Sequence, residues 1–228
     1  GHELQLHTGR AGLTRRESAG FPWTSSAGLL HSAFTNDLLV AFVRQATICR
    51  SDLEELPEDI RDRIESVHQR AGFVPNVFRS YTLRPRRLEH FRQYNNELML
   101  GDSGLTKLER EMIAVVVSSV NHCHYCLVAH GAAVRMLSGN AHLGDQLATN
   151  YRSSELPPRQ RAMLDFVWKL SAVPASIEES DRAALRRAGF SDEDIFDIAE
   201  VAAFYAASNR LASAVDARPN PEYYDIGR

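Results

Sequence analysis

From Pro57 onward, apolar residues recur at three- and four-residue intervals, the spacing of one helix face. Ile60, Ile64, Val67 and Ala71 follow the acidic start Pro57-Glu58-Asp59, and Gly72 supplies a stop. Phe73 to Phe78 contains Pro75 and reads as an apolar loop. Pro85 then opens a second amphipathic helix carrying Leu88, Phe91, Tyr94 and Leu98, broken across Gly101 to Gly104. Thr106 and Glu109 have the spacing of a capping box, in which hydroxyl and carboxylate each satisfy one orphan amide at a helix start. Behind them Met112 to Val117 is apolar on nearly every side, which predicts a central buried helix.

Ser118 to His122 has the polar, Asn-containing character of a helix end and restart. The helix that follows runs to a stop at Gly139, and Ala141 to Tyr151 reads as a further helix or a loop. Pro157-Pro158 starts a helix with Met163, Phe166, Val167 and Leu170 on its apolar side, ending near Pro174. Ser176 and Glu179 read as a second capping box, for a short helix through Leu185 stopped by Gly189. Ser191 to Asp194 opens a last, Ala-rich helix from Ile195 to about Val215. No segment gives a strand pattern, so the fold class is all-α. Residues 3 to 50 show no sustained period; Phe21-Pro22-Trp23 is a concentrated apolar anchor, and Asp37 to Ile48 suits a short helix or an edge strand equally. The expected organisation is an N-terminal extension over 1–52, partly tag-derived at Gly1-His2 or packing on a partner subunit, and a helical domain over 53–228.

Composition narrows the functions. With 228 residues, 44% hydrophobic and 24% charged, the chain has material for one substantial core. A net charge of −3 without a basic block argues against nucleic acid. No run reaches the roughly 18 apolar residues that a membrane span needs, and no signal peptide is visible. Three cysteines, one of them the lone Cys49, do not make a secreted disulfide framework, so a reducing, cytoplasmic setting is expected. Dinucleotide, P-loop and nucleophile-elbow motifs are missing.

The chemistry concentrates between Asn121 and His130, where Cys123 and Cys126 stand at CxxC spacing and His130 follows four residues later. On one helix these three share a face. A CxxC pair at a helix start can close a small disulfide, and first-turn amides with a nearby imidazole favour the thiolate. Competing readings are three ligands of a zinc site, or two inert buried cysteines. Glu111 is either a solvated first-turn carboxylate or a catalytic group. In one unbroken helix it would lie about 18 Å from Cys123, so the break at Ser118 to His122 must fold two helices back to bring it towards His130. Asn209-Arg210 reads as a buried hydrogen-bond or salt-bridge pair before a catalytic one.

The pattern Glu111, Cys123, Cys126, His130 resembles the AhpD-like alkylhydroperoxidase family of the carboxymuconolactone decarboxylase-like superfamily. Gly72 to Asn76, Leu105-Thr106, Ala188 to Asp192 and Asn209-Arg210 resemble its branch of uncharacterised peroxidase-related enzymes, over about residues 53 to 220. The resemblance implies an AhpD-like helical bundle with the CxxC at the start of a central helix, homo-oligomers, and hydroperoxide reduction without metal or organic cofactor. It implies that Cys126 attacks the peroxide, Cys123 resolves the sulfenic acid, His130 accepts the proton and Glu111 holds His130. Tyr125 stands where the best-known members carry a second histidine. Peroxide cleavage needs a thiolate that an imidazole can generate, and the sulfenic acid must be trapped by a near thiol. Thioredoxin-type logic would instead make Cys123, nearer the helix start, the nucleophile. The expected function is thiol-dependent reduction of alkyl hydroperoxides or hydrogen peroxide, regenerated by an unidentified dithiol. The alternatives are a disulfide oxidoreductase or electron-transfer adaptor for another peroxidase, and a lactone decarboxylase.

Overall fold

The computed structural model describes residues 55–228. The readings made for the N-terminal extension, including Phe21 to Trp23, Asp37 to Ile48 and Cys49, lie outside the described residues. Among the described residues there are helices and no strands. The helices are α1 (Glu58–Ala71), α2 (Asn76–Ser80), α3 (Pro85–Leu100), α4 (Lys107–Val120), α5 (His124–Ser138), α6 (Leu143–Asn150), α7 (Pro158–Ala172), α8 (Glu179–Arg187) and α9 (Asp192–Ala214). None is long and apolar enough to cross a membrane.

Helix α4 is the centre, as its unbroken apolar run predicts. Met112 to Val117 are each fully buried. A helix apolar on all sides needs neighbours on all sides: Val134 of α5, Leu147 of α6, Met163, Leu164 and Val167 of α7, and Ile198, Val201 and Ala202 of α9 join it in one cluster. Burying each such aliphatic side chain contributes about 1.5–3 kcal/mol. The start of α4 is fixed by the expected capping box: the Glu109 amide donates to Thr106 Oγ1 at 3.1 Å and the Thr106 amide to Glu109 Oε2 at 2.9 Å. Glu109 is itself buried, its charge met by Arg159 at 3.3 Å. Next to it the buried Arg110 donates to the carbonyls of Leu98 and Gly101, 3.0 and 2.8 Å away. That satisfies the end of α3 and locks it to the start of α4.

Two local readings change. The Phe73 to Phe78 loop contains the start of α2 (Asn76–Ser80), continued by a 3₁₀ turn at Tyr81–Leu83. Its support is remote in sequence: the Asn76 amide donates to Asn220 Oδ1 at 2.8 Å, Asn76 Nδ2 to the Arg218 carbonyl at 2.9 Å, and Asn220 Nδ2 to the Val74 carbonyl at 2.9 Å. The capping box expected at Ser176 and Glu179 forms instead at Glu178 and Asp181, since Pro174–Ser176 is a separate 3₁₀ turn. Lys169, 2.7 Å away, holds Asp181 there. The last helix opens at Ser191 to Asp194 as read, and there the structure adds a capping box, with bonds of 3.1 and 2.9 Å. The segment Ala141 to Tyr151 contains the helix α6.

Truncating the centre should be far costlier than truncating the rim. Ile113→Ala, at a fully buried site, is expected to lose about 2–5 kcal/mol of unfolding free energy. Phe196→Ala, at a 64% exposed site, should stay within about 0.5 kcal/mol. Denaturant midpoints for the two variants check the contrast, and equal losses would displace α4 from the centre of the core.

Candidate functional site

Helix α4 ends in a left-handed turn that also starts α5. His122 takes φ of 53°, its amide donates to the Ser119 carbonyl at 3.3 Å, and the Cys123 amide donates to the Ser118 carbonyl at 3.0 Å. This pair of bonds closes a Schellman motif. Cys123 is at once the second residue past the turn and the N-cap of α5, its carbonyl accepting from the Leu127 amide at 3.0 Å. Cys126 falls in the first turn of α5. Because α5 turns back alongside α4, residues equal steps from the turn come together. Glu111, nine before Val120, meets His130, nine after Asn121: His130 Nδ1 and Glu111 Oε2 are 2.6 Å apart. The ion-pairing side chains are 19% and 17% exposed, so the pair sits at the edge of the core rather than in solvent. The break required by the sequence is thus present, and Glu111 is a partner of His130 rather than a free first-turn carboxylate.

Helix α9 supplies the other wall. Tyr205, buried, sets its ring edge against the His130 ring with centroids 4.4 Å apart, while Asn95 Nδ2 donates to its hydroxyl at 3.2 Å. Burial first, and then the Glu111 charge, keep this phenol protonated. One helical turn further on, Asn209 lies on the side of Cys126 and lowers its pKa, and four residues beyond that Ser213 does the same for Cys123. Asn209 is buried as expected, whereas Arg210 is exposed and donates to the Ala206 carbonyl at 2.5 Å. Ser118, Tyr205 and Ser213 are site residues that the sequence reading missed. The only available signal was that Asn209 and Ser213 stand four apart on one face of an Ala-rich helix.

Tyr125 points elsewhere. It is buried, donates its hydroxyl to Tyr223, and packs at right angles to that ring at 6.3 Å. It therefore ties α5 to the C-terminal turn and does not stand between His130 and a cysteine.

Both cysteines are free thiols buried to within 2% of complete. Burial raises both pKa values, so any lowering must come from donors and charges. For Cys123 the Cys126 thiol donates to its sulfur and the Ser213 hydroxyl and the His130 charge add to this, which brings it down to about 6. For Cys126 the neighbouring Cys123 sulfur is the largest cause and pushes it up. The pair thus shares one proton, held by Cys126. A cavity of about 210 Å³ opens on Cys123, rimmed by His122, His124, Asp216 and Arg218. Among the described residues no group of His, Cys, Asp or Glu is arranged to hold a metal ion.

The model of the carboxymuconolactone decarboxylase family matches residues 85–142, a span that holds Glu111, Cys123, Cys126 and His130. A solved structure of an uncharacterised peroxidase-related protein from Silicibacter sp. TM1040 is 52% identical, covers 76% of this chain and 91% of its own, and superposes with a TM-score of 0.74. An alkylhydroperoxidase AhpD core, an uncharacterised peroxidase-related protein from Ralstonia eutropha JMP134, is 47% identical over 81% of this chain and 97% of its own, with a TM-score of 0.78. The debrominase Bmp8 shares the fold at 20% identity and a TM-score of 0.64, over 82% of this chain and 98% of its own. No curated protein sequence matches the chain.

The proton sharing has a pH signature. In the reduced protein, iodoacetamide should modify Cys123 in preference to Cys126, with a rate that rises through a midpoint near pH 6 as the thiolate forms. Cys126→Ala removes the principal donor and should move that midpoint upward, so labelling at pH 7 slows. Mass spectrometry of the labelled peptides reads both effects; an unmoved midpoint would show that Cys126 does not set the acidity of Cys123.

Proposed function

Because the chain belongs to the AhpD-like family of the carboxymuconolactone decarboxylase superfamily, we propose that it is a thiol peroxidase that reduces alkyl hydroperoxides or hydrogen peroxide with its CxxC pair. The observation that carries this reading is a pair of free, buried thiols at the start of α5, Cys123 lining a cavity, with the His130–Glu111 pair beside them on the same two helices. Peroxide reduction needs two sulfurs together: an anion to attack oxygen and a second sulfur to resolve the product.

The resemblance, together with the imidazole of His130 four residues beyond Cys126, assigns the attack to Cys126. The acidity of Cys123 and its place on the cavity favour the opposite assignment, and the steps are written that way. The Cys123 thiolate attacks the terminal peroxide oxygen, the O–O bond breaks, and the departing alkoxide takes a proton to leave as alcohol. Cys123 is then a sulfenic acid. Cys126 loses its proton and attacks the Cys123 sulfur, the S–O bond breaks, and hydroxide leaves as water on gaining that proton. Two thiols and a hydroperoxide become a disulfide, an alcohol and water. His130 is the group suited to carry the protons: its Nδ1 is taken by Glu111, which leaves Nε2 to exchange, directly or through a water. A dithiol donor restores the pair, a cycle that fits a reducing, cytoplasmic compartment. Homo-oligomerisation belongs to the same proposal. The groove between α3 and α9, lined by Tyr81, Phe91, Tyr94, Phe204 and Leu211, offers the apolar face such a contact needs.

Pre-reduced protein mixed with cumene hydroperoxide should consume it with loss of two thiols per protein. Cys123→Ser should abolish consumption, and His130→Gln or Glu111→Gln should slow it by about 10²–10⁴-fold. No consumption, with a pair that still cycles with a dithiol, would replace the peroxidase by an electron-transfer adaptor. Light scattering should return a particle larger than the 25.5 kDa chain; a monomer at micromolar concentration would end the oligomer proposal.

A further inference from the structure

A hydrogen bond at one ring nitrogen does not by itself fix an imidazole in space. The Glu111 carboxylate accepts from His130 Nδ1 at 2.6 Å, but both side chains are flexible and both stand at the edge of the core, so the bonded pair is free to swing outward as a unit. A proton carrier needs its free nitrogen held in one direction, since a displacement of about 1 Å can cost on the order of 10²-fold in rate. The ring that can hold it comes from α9. Tyr205 is 2% exposed and meets the His130 ring with centroids 4.4 Å apart and planes at 73°, an edge contact. Tyr205 is itself held at several points. Val201 and Ala202, one turn earlier on α9, are buried in the cluster around α4. Phe204 stands perpendicular to the Tyr205 ring at 5.2 Å. From α3, Asn95 Nδ2 donates to its hydroxyl at 3.2 Å.

We propose that Tyr205 is a positioning residue of the His130–Glu111 pair: its ring, anchored at the hydroxyl by Asn95, stops the imidazole from leaving Glu111 and keeps Nε2 in one direction. The place of this buttress in a reaction rests on the peroxidase reading; the buttress itself does not. Tyr205 gives up no proton in this role. Its ring meets His130 while its hydroxyl meets Asn95, so the aromatic body is the required group and the phenol serves to hold it still. In the proposed reaction the whole effect passes through His130. The ring takes a proton from one sulfur and returns one to the departing oxygen, and both transfers start from the same ring position.

Tyr205 also belongs to the core cluster around α4, so lost stability alone decides nothing. Two readouts separate the roles. The first is the nitrogen NMR spectrum of the His130 side chain in the reduced protein, where the bond to Glu111 holds the neutral ring as the Nδ1–H tautomer. Tyr205→Met, which fills the space with a flexible chain, should shift the population towards Nε2–H. Tyr205→Phe, which keeps the ring, should hold it, and Asn95→Ala, at a half-buried site, should shift it in the same direction as Tyr205→Met but by less. The second readout is a double-mutant cycle in peroxide consumption. Tyr205→Met should slow the reaction about tenfold with His130 present. In a His130→Gln background the same change should cost less than about twofold, because no ring is left to position. Tyr205→Phe should bring the rate back to within about twofold of the unaltered chain. A tautomer population unmoved in Tyr205→Met, or in Asn95→Ala should Tyr205→Met not fold, would reduce Tyr205 to a core residue, as would an equal loss of rate with and without His130. A loss in Tyr205→Phe as large as in Tyr205→Met would overturn the role of the ring in favour of the hydroxyl. Should the unaltered chain fail to react with peroxide, the tautomer measurement would still decide the buttress.

Discussion

The six residues from Ser118 to Cys123 are the constraint on which the site depends. A straight continuation of α4 would carry Cys123 about 18 Å from Glu111. The left-handed residue His122 reverses the chain, two amides bond back to Ser118 and Ser119, and α5 returns antiparallel to α4. A non-glycine residue in this conformation costs on the order of 1 kcal/mol. That cost is offset by the two bonds and by the apolar surface of Val116 and Val117 that the returning helix helps to cover. The same turn places Cys123 at the N-cap, where a side chain that accepts amide protons, usually Ser, Thr, Asp or Asn, would stand. A sulfur there gains from being an anion at the positive end of a helix. One backbone event thus aligns Glu111 with His130 and favours the charge on one of the two sulfurs.

Helix α9 acts as a ruler laid across that turn. Its start is set by the Ser191 and Asp194 box and its middle by Ile198, Val201 and Ala202 in the core, so its far end has little freedom. Tyr205, Asn209 and Ser213, each four residues from the next, meet His130, Cys126 and Cys123 in turn. The order is reversed relative to α5, as antiparallel helices require. A second strap comes from the C-terminal turn: the buried Arg135 donates to the carbonyls of Tyr223 and Ile226 at 2.7 and 2.9 Å, and Tyr125 bonds Tyr223. Preorganisation of this kind holds the buried sulfurs and the side chains around them in one fixed arrangement.

What the sequence disclosed follows the range of the forces involved. Helices defined by local chemistry were readable: the box at Thr106 and Glu109, the helix start at Ser191 to Asp194, the glycine stops at Gly72 and Gly139, and the all-apolar α4. The start of α8 was misplaced because two boxes competed within a few residues, and Lys169, on another helix, decided between them. Helix α2 was hidden because its amide partner is Asn220. The site divides in the same way. Glu111, Cys123, Cys126 and His130 carry a spacing that chemistry can read on two adjacent helices. Ser118, Tyr205 and Ser213 carry none, since a serine or a tyrosine acquires its role here only from what α9 lies against. Asn209 stood out as a polar residue among alanines, yet its partners were invisible until the turn and α9 were placed together.

The two sulfurs also impose an order on the chemistry. Burial alone would leave both thiols protonated at neutral pH. The Cys126 thiol lowers Cys123 by donating to it, and the same contact raises Cys126, because its proton now bridges to an anion. While Cys123 is a thiolate, Cys126 is therefore held as the proton carrier and is a poor nucleophile. Oxidation of Cys123 to a neutral sulfenic acid, in the proposed cycle, removes the anion that is the first cause of the raised Cys126 value. What remains for Cys126 is the burial penalty set against the smaller lowering by Asn209 and Ser118. The resolving sulfur becomes easier to ionise only after the attacking sulfur has been oxidised, so the first step switches on the second.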